Sequence, residues 1–195
     1  LSISGGGDQA DYYISGRFYD MDGIYKVGND SYKKYDVRAK GTLKVRPWLR
    51  LTNNMSVSVI DAYEPKHQKN NSQIPRLINH TAMPLSPVKN PDGTWTAAAA
   101  KSGYAAFSEG TSWRTNDYVY LRNKFDVNID LVKDVLTASA DYSYNYTNRK
   151  RMDAQTVIEY SKKPGEILYE SEAAGSNLQS VEYQTRYQSA NAYLN

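Results

Sequence analysis

The chain has 195 residues, no cysteine, 24 basic against 21 acidic residues and a formal net charge of +3. This length allows one ordinary domain or one piece of a larger one. The absence of cysteine excludes disulfide scaffolds, thiolate metal clusters and cysteine nucleophiles. The near balance of charge argues against a polyanion as the main partner, so we expect no nucleic acid to bind.

Hydropathy gives a less direct answer about membranes. No apolar run approaches the roughly 18 residues that a membrane helix needs, and residues 1–10 lack the charged and apolar regions of a signal peptide. We therefore expect neither feature in this sequence. The mean hydropathy of −0.71 is typical of a soluble protein. A strand with one apolar and one polar face averages to a similar value, so this number does not exclude membrane β-structure.

Alternation of apolar and polar residues predicts six strands and the end of a seventh. The weaker patterns occupy residues 1–4, 12–19, 49–59 and 181–194. The strongest occupy residues 34–46, 119–131 and 136–147. Asn123 is the only residue that interrupts the apolar set of the strand 119–131. Residues 96–107 have helix propensity between turn signals and predict a short helix or an ordered loop.

Connections of two kinds separate these predicted strands. Residues 46–48 and 131–134 read as tight reversals, whereas 64–115 and 149–180 read as long loops. Five of the seven prolines fall inside the first long loop, so the strands are left nearly free of proline, as ladder pairing requires. Short and long connections that alternate along long antiparallel strands are typical of an outer-membrane barrel.

Tyrosine, with 18 residues, is distributed in the opposite way to proline. Only Tyr104 falls inside the loop 64–115, and most of the others lie on the predicted strands or at their ends. An apolar ring with a polar hydroxyl suits the membrane interface. Tyrosine also packs well on the core of a soluble sandwich, but the strand lengths and the alternation of loops favour the membrane.

Six phrases of the sequence are more specific than the strand pattern. They are LSISGGG (1–7), DYYISGRFYDMDGI (11–24), YKKYDVR (32–38), WLRLTNNMS (48–56), PVKNPDGTW (87–95) and AYLN (192–195). Together, and in this order, they resemble the barrel of SusC/RagA-like TonB-dependent transporters. The middle loops, roughly 64–86 and 94–115, resemble the family in their position along the chain and not in their sequence.

The resemblance implies an all-β fold, an outer-membrane barrel of about 22 strands with a plug domain in its lumen. It implies import of oligosaccharides or peptides, with a SusD-like surface lipoprotein as a hinged lid and the TonB complex on the periplasmic side. The sequence has neither the plug nor the TonB-interacting segment, and it has too few strands. We therefore expect these residues to form about a third or less of a barrel wall, surrounded by the lipid bilayer of a Gram-negative outer membrane.

No pattern in the sequence predicts catalysis, and we do not expect an enzyme. The two histidines, His67 and His80, both lie in the long loop, without the three or four converging ligands that a metal needs. The run at 5–7 is glycine-rich but leads into an aspartate and a strand, so it predicts a turn and not a phosphate site. Most acidic residues fit solvated faces. We expect no metal and no cofactor.

Basic residues on two predicted strands form the one charged group with a functional hypothesis. They are Lys34, Arg38, Lys40, Lys44, Arg46, Arg122 and Lys124. Facing lipid near the midplane would cost about 2–4 kcal/mol for each of them, so we expect them to face the lumen. There they pair with a plug, which is the interpretation we prefer, or they attract an anionic substrate along the wall.

Three loop aromatics, Trp95, Tyr104 and Trp113, are candidates for stacking on sugar rings or on a partner protein. Local packing within the loops is the simpler expectation for them. For the whole chain, the main alternative is a soluble β-sandwich module that binds carbohydrate or acts as an adhesin. That alternative places the apolar side chains of the strand 119–131 in a closed core against a second sheet. A complete eight-stranded barrel is a weaker option, because the last predicted strand has no obvious closing partner.

Overall fold

The computed structural model describes residues 1–25, 27–66, 85–133, 135–170 and 176–195. His67 and His80 lie outside the described residues. The elements in chain order are β1 Ser2–Gly6, β2 Ala10–Asp22, β3 Ser31–Arg46, β4 Leu49–Pro65, α1 Ala97–Lys101, α2 Tyr104–Glu109, β5 Trp113–Val132, β6 Leu136–Gln155, β7 Ile158–Tyr160, β8 Leu168–Glu170 and β9 Asn177–Leu194.

Seven strands form one antiparallel sheet in the order β1-β2-β3-β4-β5-β6-β9. The all-β class and the antiparallel arrangement predicted from the sequence are therefore confirmed, and each predicted strand has its counterpart in this sheet. The hairpin of β7 and β8 forms a second, two-stranded sheet that the sequence pattern did not predict. Each of its strands has three residues, which is too short to show a period of two.

Several strands are longer than the alternation indicated. β4 continues to Pro65, β5 begins at Trp113, β6 continues to Gln155 and β9 begins at Asn177. The predicted loop bounds 64–115 and 149–180 are therefore too wide. In these outer parts both faces carry polar side chains, so the hydropathy pattern ends although backbone pairing continues.

The register of the sheet assigns its residues to two faces, because directly paired residues point to the same side. The first face, called the apolar face, is formed by side chains that include Ile14, Phe18, Tyr35, Val37, Leu43, Leu51, Met55, Val57, Val119, Leu121, Val127, Ile129, Ala138 and Leu194. The second, called the polar face, carries serine, threonine, asparagine and charged side chains in the alternate positions.

The buried apolar core of the described chain lies beside the sheet and not on it. It consists of Ala99, Ala100, Ala105, Ala106, Ile158 and Tyr160, which belong to α1, α2 and β7. Trp95 and Leu168 pack against this cluster. The loops at one end of the sheet are thus a packed unit, called the loop cluster. The short helix or ordered loop predicted at 96–107 is a pair of short helices within this cluster.

The apolar face, in contrast, is left open to the surroundings. Phe18 is 58% exposed and Val37 is 52% exposed, although both lie in central parts of their strands. The chain as a whole exposes 12976 Å², whereas a compact soluble protein of 22.1 kDa is expected to expose about 9,300 Å². Neither of the two helices in the described part of the chain is long and apolar enough to cross a bilayer.

Replacing Thr96 by alanine is expected to destabilise the loop cluster by about 1 kcal/mol. The Thr96 hydroxyl caps α1 by accepting a hydrogen bond from the Ala99 backbone N–H at 3.2 Å, and it donates one to the Pro87 carbonyl at 2.7 Å. Hydrogen exchange of the amides of 97–107 measures the effect. Thr96→Ser keeps the hydroxyl and is the control, so equal exchange in the two variants would contradict this role.

Candidate functional site

The connections at the two ends of the sheet differ strongly in length. The short connections 7–9, 47–48 and 133–135 all lie at one end, and the long connections 23–30, 66–112 and 156–176 lie at the other. The short turns do not lie in one row of paired residues. The last residue pair before the first turn, Gly6–Asp11, lies in the same row as Thr52 of β4, and the last pair before the second turn includes Leu49, three residues further along β4. Leu49 is paired with Ile129 of β5, and the last pair before the third turn includes Val132, again three residues further along.

This stepwise shift measures the tilt of the strands. A shift of three residues is about 10 Å along a strand, and two strands are about 9.6 Å wide. If a line is drawn through the short turns, the strands are tilted by roughly 45° from the perpendicular to that line. Strands of transmembrane barrels are tilted by about 35–45° from the barrel axis.

The apolar face forms a band of definite height. On β5 it extends from Val119 to Ile129, which is about 33 Å along the strand and about 23 Å in height at this tilt. Transmembrane barrels present a lipid-facing band about 25 Å tall. A row of charged residues borders the band towards the long loops, paired across six strands: Asp20, Lys33, Asp61, Asp117, Lys150 and Glu182.

Asn123, the residue that interrupts the apolar pattern of β5, has a partner on the same face. The Nδ2 amide of Asn53 donates a hydrogen bond to Oδ1 of Asn123 at 2.7 Å. Two amides that satisfy each other are less costly to place in apolar surroundings than two unpaired amides. The pair explains how the band tolerates polar side chains near its middle.

Six of the seven predicted basic residues share the polar face by register: Lys34, Arg38, Lys40, Lys44, Arg122 and Lys124. The prediction that Arg46 shares this face is wrong. A β-bulge between Lys44 and Arg46 pairs Arg46 with Leu49, which belongs to a row of the apolar face. A bulge inserts one extra residue, and the alternation along the strand shifts with it.

The basic residues of the polar face differ in their partners. Lys34 lies 3.3 Å from an oxygen of Asp36. Lys124 forms ion pairs with two carboxylates, those of Asp126 at 2.7 Å and Asp141 at 3.5 Å. These two lysines are therefore neutralised by carboxylates of the sheet itself.

The two predicted arginines of this face, Arg38 and Arg122, have no such partner among the described residues. Nε of Arg38 donates to the amide oxygen of Asn54 at 3.2 Å, which supplies no negative charge. Arg122 and Lys40 have no hydrogen-bonding or ion-pair partner among the residues that the structure describes. The sequence predicted these side chains as a group, but only the register shows which of them have carboxylates nearby.

A buried ionic cluster lies at the loop end of the sheet, on β4, β5, β6 and the residue that follows β4. The carboxylate of Asp153, which is 4% exposed, accepts hydrogen bonds from Arg114 Nε at 2.5 Å and Arg151 Nε at 2.8 Å. The ammonium of Lys66 lies 3.7 Å from the same carboxylate. Arg114 also approaches Glu64 at 3.5 Å. Three cations thus converge on one buried carboxylate.

Two opposed effects act on the pKa of the Lys66 ammonium. Burial lowers the pKa of the Lys66 ammonium below its ordinary value, and the nearby Asp153 carboxylate opposes this lowering. Sequence reasoning missed this cluster, because Arg114 and Asp153 lie 39 positions apart in segments assigned to loops. No local pattern reveals a pair that only strand pairing brings together.

The three predicted loop aromatics separate into two places. Trp95 and Tyr104 contact each other edge to face, with ring centroids 6.4 Å apart. Trp95 also donates from Nε1 to Glu109, and Lys89 lies over its ring at 4.6 Å. Trp113 lies apart from them at the start of β5, where it stacks on Tyr63. Each of the three rings therefore takes part in local packing.

Among the residues that the structure describes, no three histidine or acidic side chains converge in a way that could hold a metal ion. No protein-family model matches the chain, and no curated protein sequence matches it. The fold and the surfaces described above define an all-β chain with one antiparallel sheet, an open apolar face, a charged polar face and a packed loop cluster at one end.

Proposed function

We propose that this chain forms part of the wall of an outer-membrane nutrient importer of the SusC/RagA-like, TonB-dependent type. The observation that carries the proposal is the uncovered apolar face, about 23 Å high at the measured tilt and bordered by a charged row. A seven-stranded sheet of this kind needs an apolar environment for one face only, and a bilayer around a barrel supplies it.

The remaining features fit this arrangement. The short turns lie on the periplasmic side and the long loops lie outside, where the loop cluster provides a docking surface for a SusD-like lipoprotein lid. The polar face lines the path of an oligosaccharide or a peptide. The TonB complex provides energy from the periplasmic side. In this proposal the residues of the chain bind and guide a ligand and carry out no bond chemistry.

The alternative of a soluble β-sandwich requires a second sheet packed on Val119, Leu121, Val127 and Ile129. Within the described ranges the only other sheet is the β7–β8 hairpin. Its residues Ile158 and Tyr160 pack with the alanines of α1 and α2 in the loop cluster. This arrangement supports the membrane proposal over the sandwich.

The absence of cysteine allows a direct test by single-cysteine spin labelling in outer-membrane vesicles. Met55→Cys and Val37→Cys place a label on the apolar face, and Thr52→Cys and Thr42→Cys are matched controls on the polar face of the same strands. Labels on the apolar face are expected to collide preferentially with oxygen, which dissolves in lipid. Labels on the polar face are expected to collide preferentially with a water-soluble nickel chelate.

Two results would overturn the proposed function. One is a preference for the nickel chelate on both faces, which would show that water covers the apolar face. The other is a purified chain that stays a monodisperse monomer in plain buffer, because an uncovered band of this size needs detergent or lipid.

A further inference from the structure

The charges of the polar face are arranged in rows. One row of directly paired residues carries the carboxylates of Asp11, Asp126 and Asp141. The next three rows towards the long loops carry five cations, Arg17, Arg38, Lys40, Arg122 and Lys124, against one carboxylate, Asp36. The middle of the polar face is therefore strongly basic, although the whole chain is close to neutral.

The few carboxylates near this basic region already have partners. Asp36 accepts a hydrogen bond from Ser58 at 2.6 Å and pairs with Lys34. Asp126 and Asp141 pair with Lys124. Arg17 and Arg122 have neither a hydrogen bond nor an ion pair with any described residue. Arg38 reaches only an amide, and Arg17 lies directly opposite Asp36, with which it interacts electrostatically. Arg38 and Arg122 therefore have no carboxylate paired with them among the described residues.

These arginines surround a depression of the polar face, whose lining includes Arg17, Arg38, Ser56 and Arg122 together with the ion pair of Lys34 and Asp36. Arg38, Ser56 and Arg122 lie in one row on three neighbouring strands. The backbones of the two outer strands are therefore about 9.6 Å apart. Two guanidinium forks on either side of a hydroxyl offer paired donors for an oxyanion between them.

We infer that this depression is a binding site for carboxylate or sulfate groups on the transported ligand. The inference rests on the proposed function and deepens it, because it assigns the importer a substrate class of acidic oligosaccharides or acidic peptides. Guanidinium groups bind both oxyanions by the same bidentate geometry. The hydroxyls of Ser15, Ser56 and Tyr120 supply further donors at the border of the depression.

The alternative occupant of the depression is an acidic protein segment, for example one from the plug domain that the family resemblance implies. Three guanidinium groups line this one depression, whereas Lys40, Lys44 and Arg50 of the same face lie outside its lining. A packing surface for a whole domain would be expected to use the face more evenly. The concentration of arginine at one depression therefore favours a small anionic group.

Binding of a sulfated disaccharide and of its unsulfated parent to the detergent-solubilised, membrane-purified protein tests the inference, measured by isothermal titration calorimetry. The wild-type protein is expected to prefer the sulfated probe by about tenfold or more. Arg38→Gln/Arg122→Gln is expected to lose this preference. Lys44→Gln/Arg50→Gln removes the same charge from the same face and is expected to change the affinity less than about twofold.

Equal affinity for both probes, or equal losses in the two double variants, would overturn the inference. Capture of an acidic segment of the protein itself by a photo-crosslinker at Ser56, without binding of the sulfated probe, would overturn it as well. The spin-label pattern separates the two proposals. If the apolar face keeps its preference for oxygen while the sulfated probe fails to bind, only the anion site is wrong.

Discussion

Replacing Met55 by arginine is expected to prevent stable insertion of the chain into the outer membrane. Met55 lies on the apolar face near the middle of β4 and is 38% exposed. An arginine that faces lipid near the midplane costs about 2–4 kcal/mol, and the neighbouring Asn53–Asn123 pair offers it no negative charge. Immunoblotting of the outer-membrane fraction and urea unfolding in liposomes measure the loss.

Thr52→Arg is the matched control for this prediction. Thr52 lies on the polar face of the same strand and pairs directly with Asp126, so an arginine there gains an opposite charge and is expected to leave the membrane level unchanged. If both variants reach the membrane equally well, the assignment of the two faces is wrong.

Replacing Asp153 by alanine is expected to open the pairing of β4, β5 and β6 at the loop end of the sheet. The substitution leaves Lys66, Arg114 and Arg151 close together without the carboxylate on which they converge. Removing one partner from a buried ionic cluster costs about 3–5 kcal/mol, which corresponds to at least about 100-fold faster exchange where exchange follows the opening equilibrium. Hydrogen exchange of peptides from 62–66, 113–118 and 150–155 measures this opening.

Asp20→Ala serves as a control, because Asp20 forms an ion pair with Lys33 at 3.8 Å in which both side chains are more than 40% exposed. Such a pair contributes about 0–1 kcal/mol, so exchange is expected to change little. The double variant Asp153→Asn/Arg151→Gln removes one cation together with the carboxylate and should recover part of the protection. Equal exchange in the Asp153 and Asp20 variants would contradict the proposed role of the cluster.

Much of the sheet follows from the sequence because its strands carry a simple local pattern. The alternation at 34–46, at 119–131 and at 136–147 predicted β3, β5 and β6 together with their apolar sides. The ends of the strands were harder to locate, since polar residues on both faces carry no period. The extra pairing of β5 from Trp113 and of β6 to Gln155 depends on the partner strand.

The candidate surfaces were predictable to different degrees. The basic residues of β3 and β5 were recognised from their spacing, but the exception at Arg46 required the bulge, which is a property of pairing between two strands. Trp95 and Tyr104 were named as candidates for ligand contact, yet they pack on each other. A sequence shows that an aromatic ring is present and does not show what covers its face.

The sequence by itself therefore determined the strands, their two kinds of face and the division into short turns and long loops. These features depend on neighbours one or two positions apart. Only the tertiary structure decided how the strands align, and this alignment produced the 45° tilt, the charged border, the amide pair in the apolar face and the depression between Arg38 and Arg122. Such features join residues as far apart as Arg38 and Arg122, and only the hydrogen-bonded register across three strands brings those residues into one row.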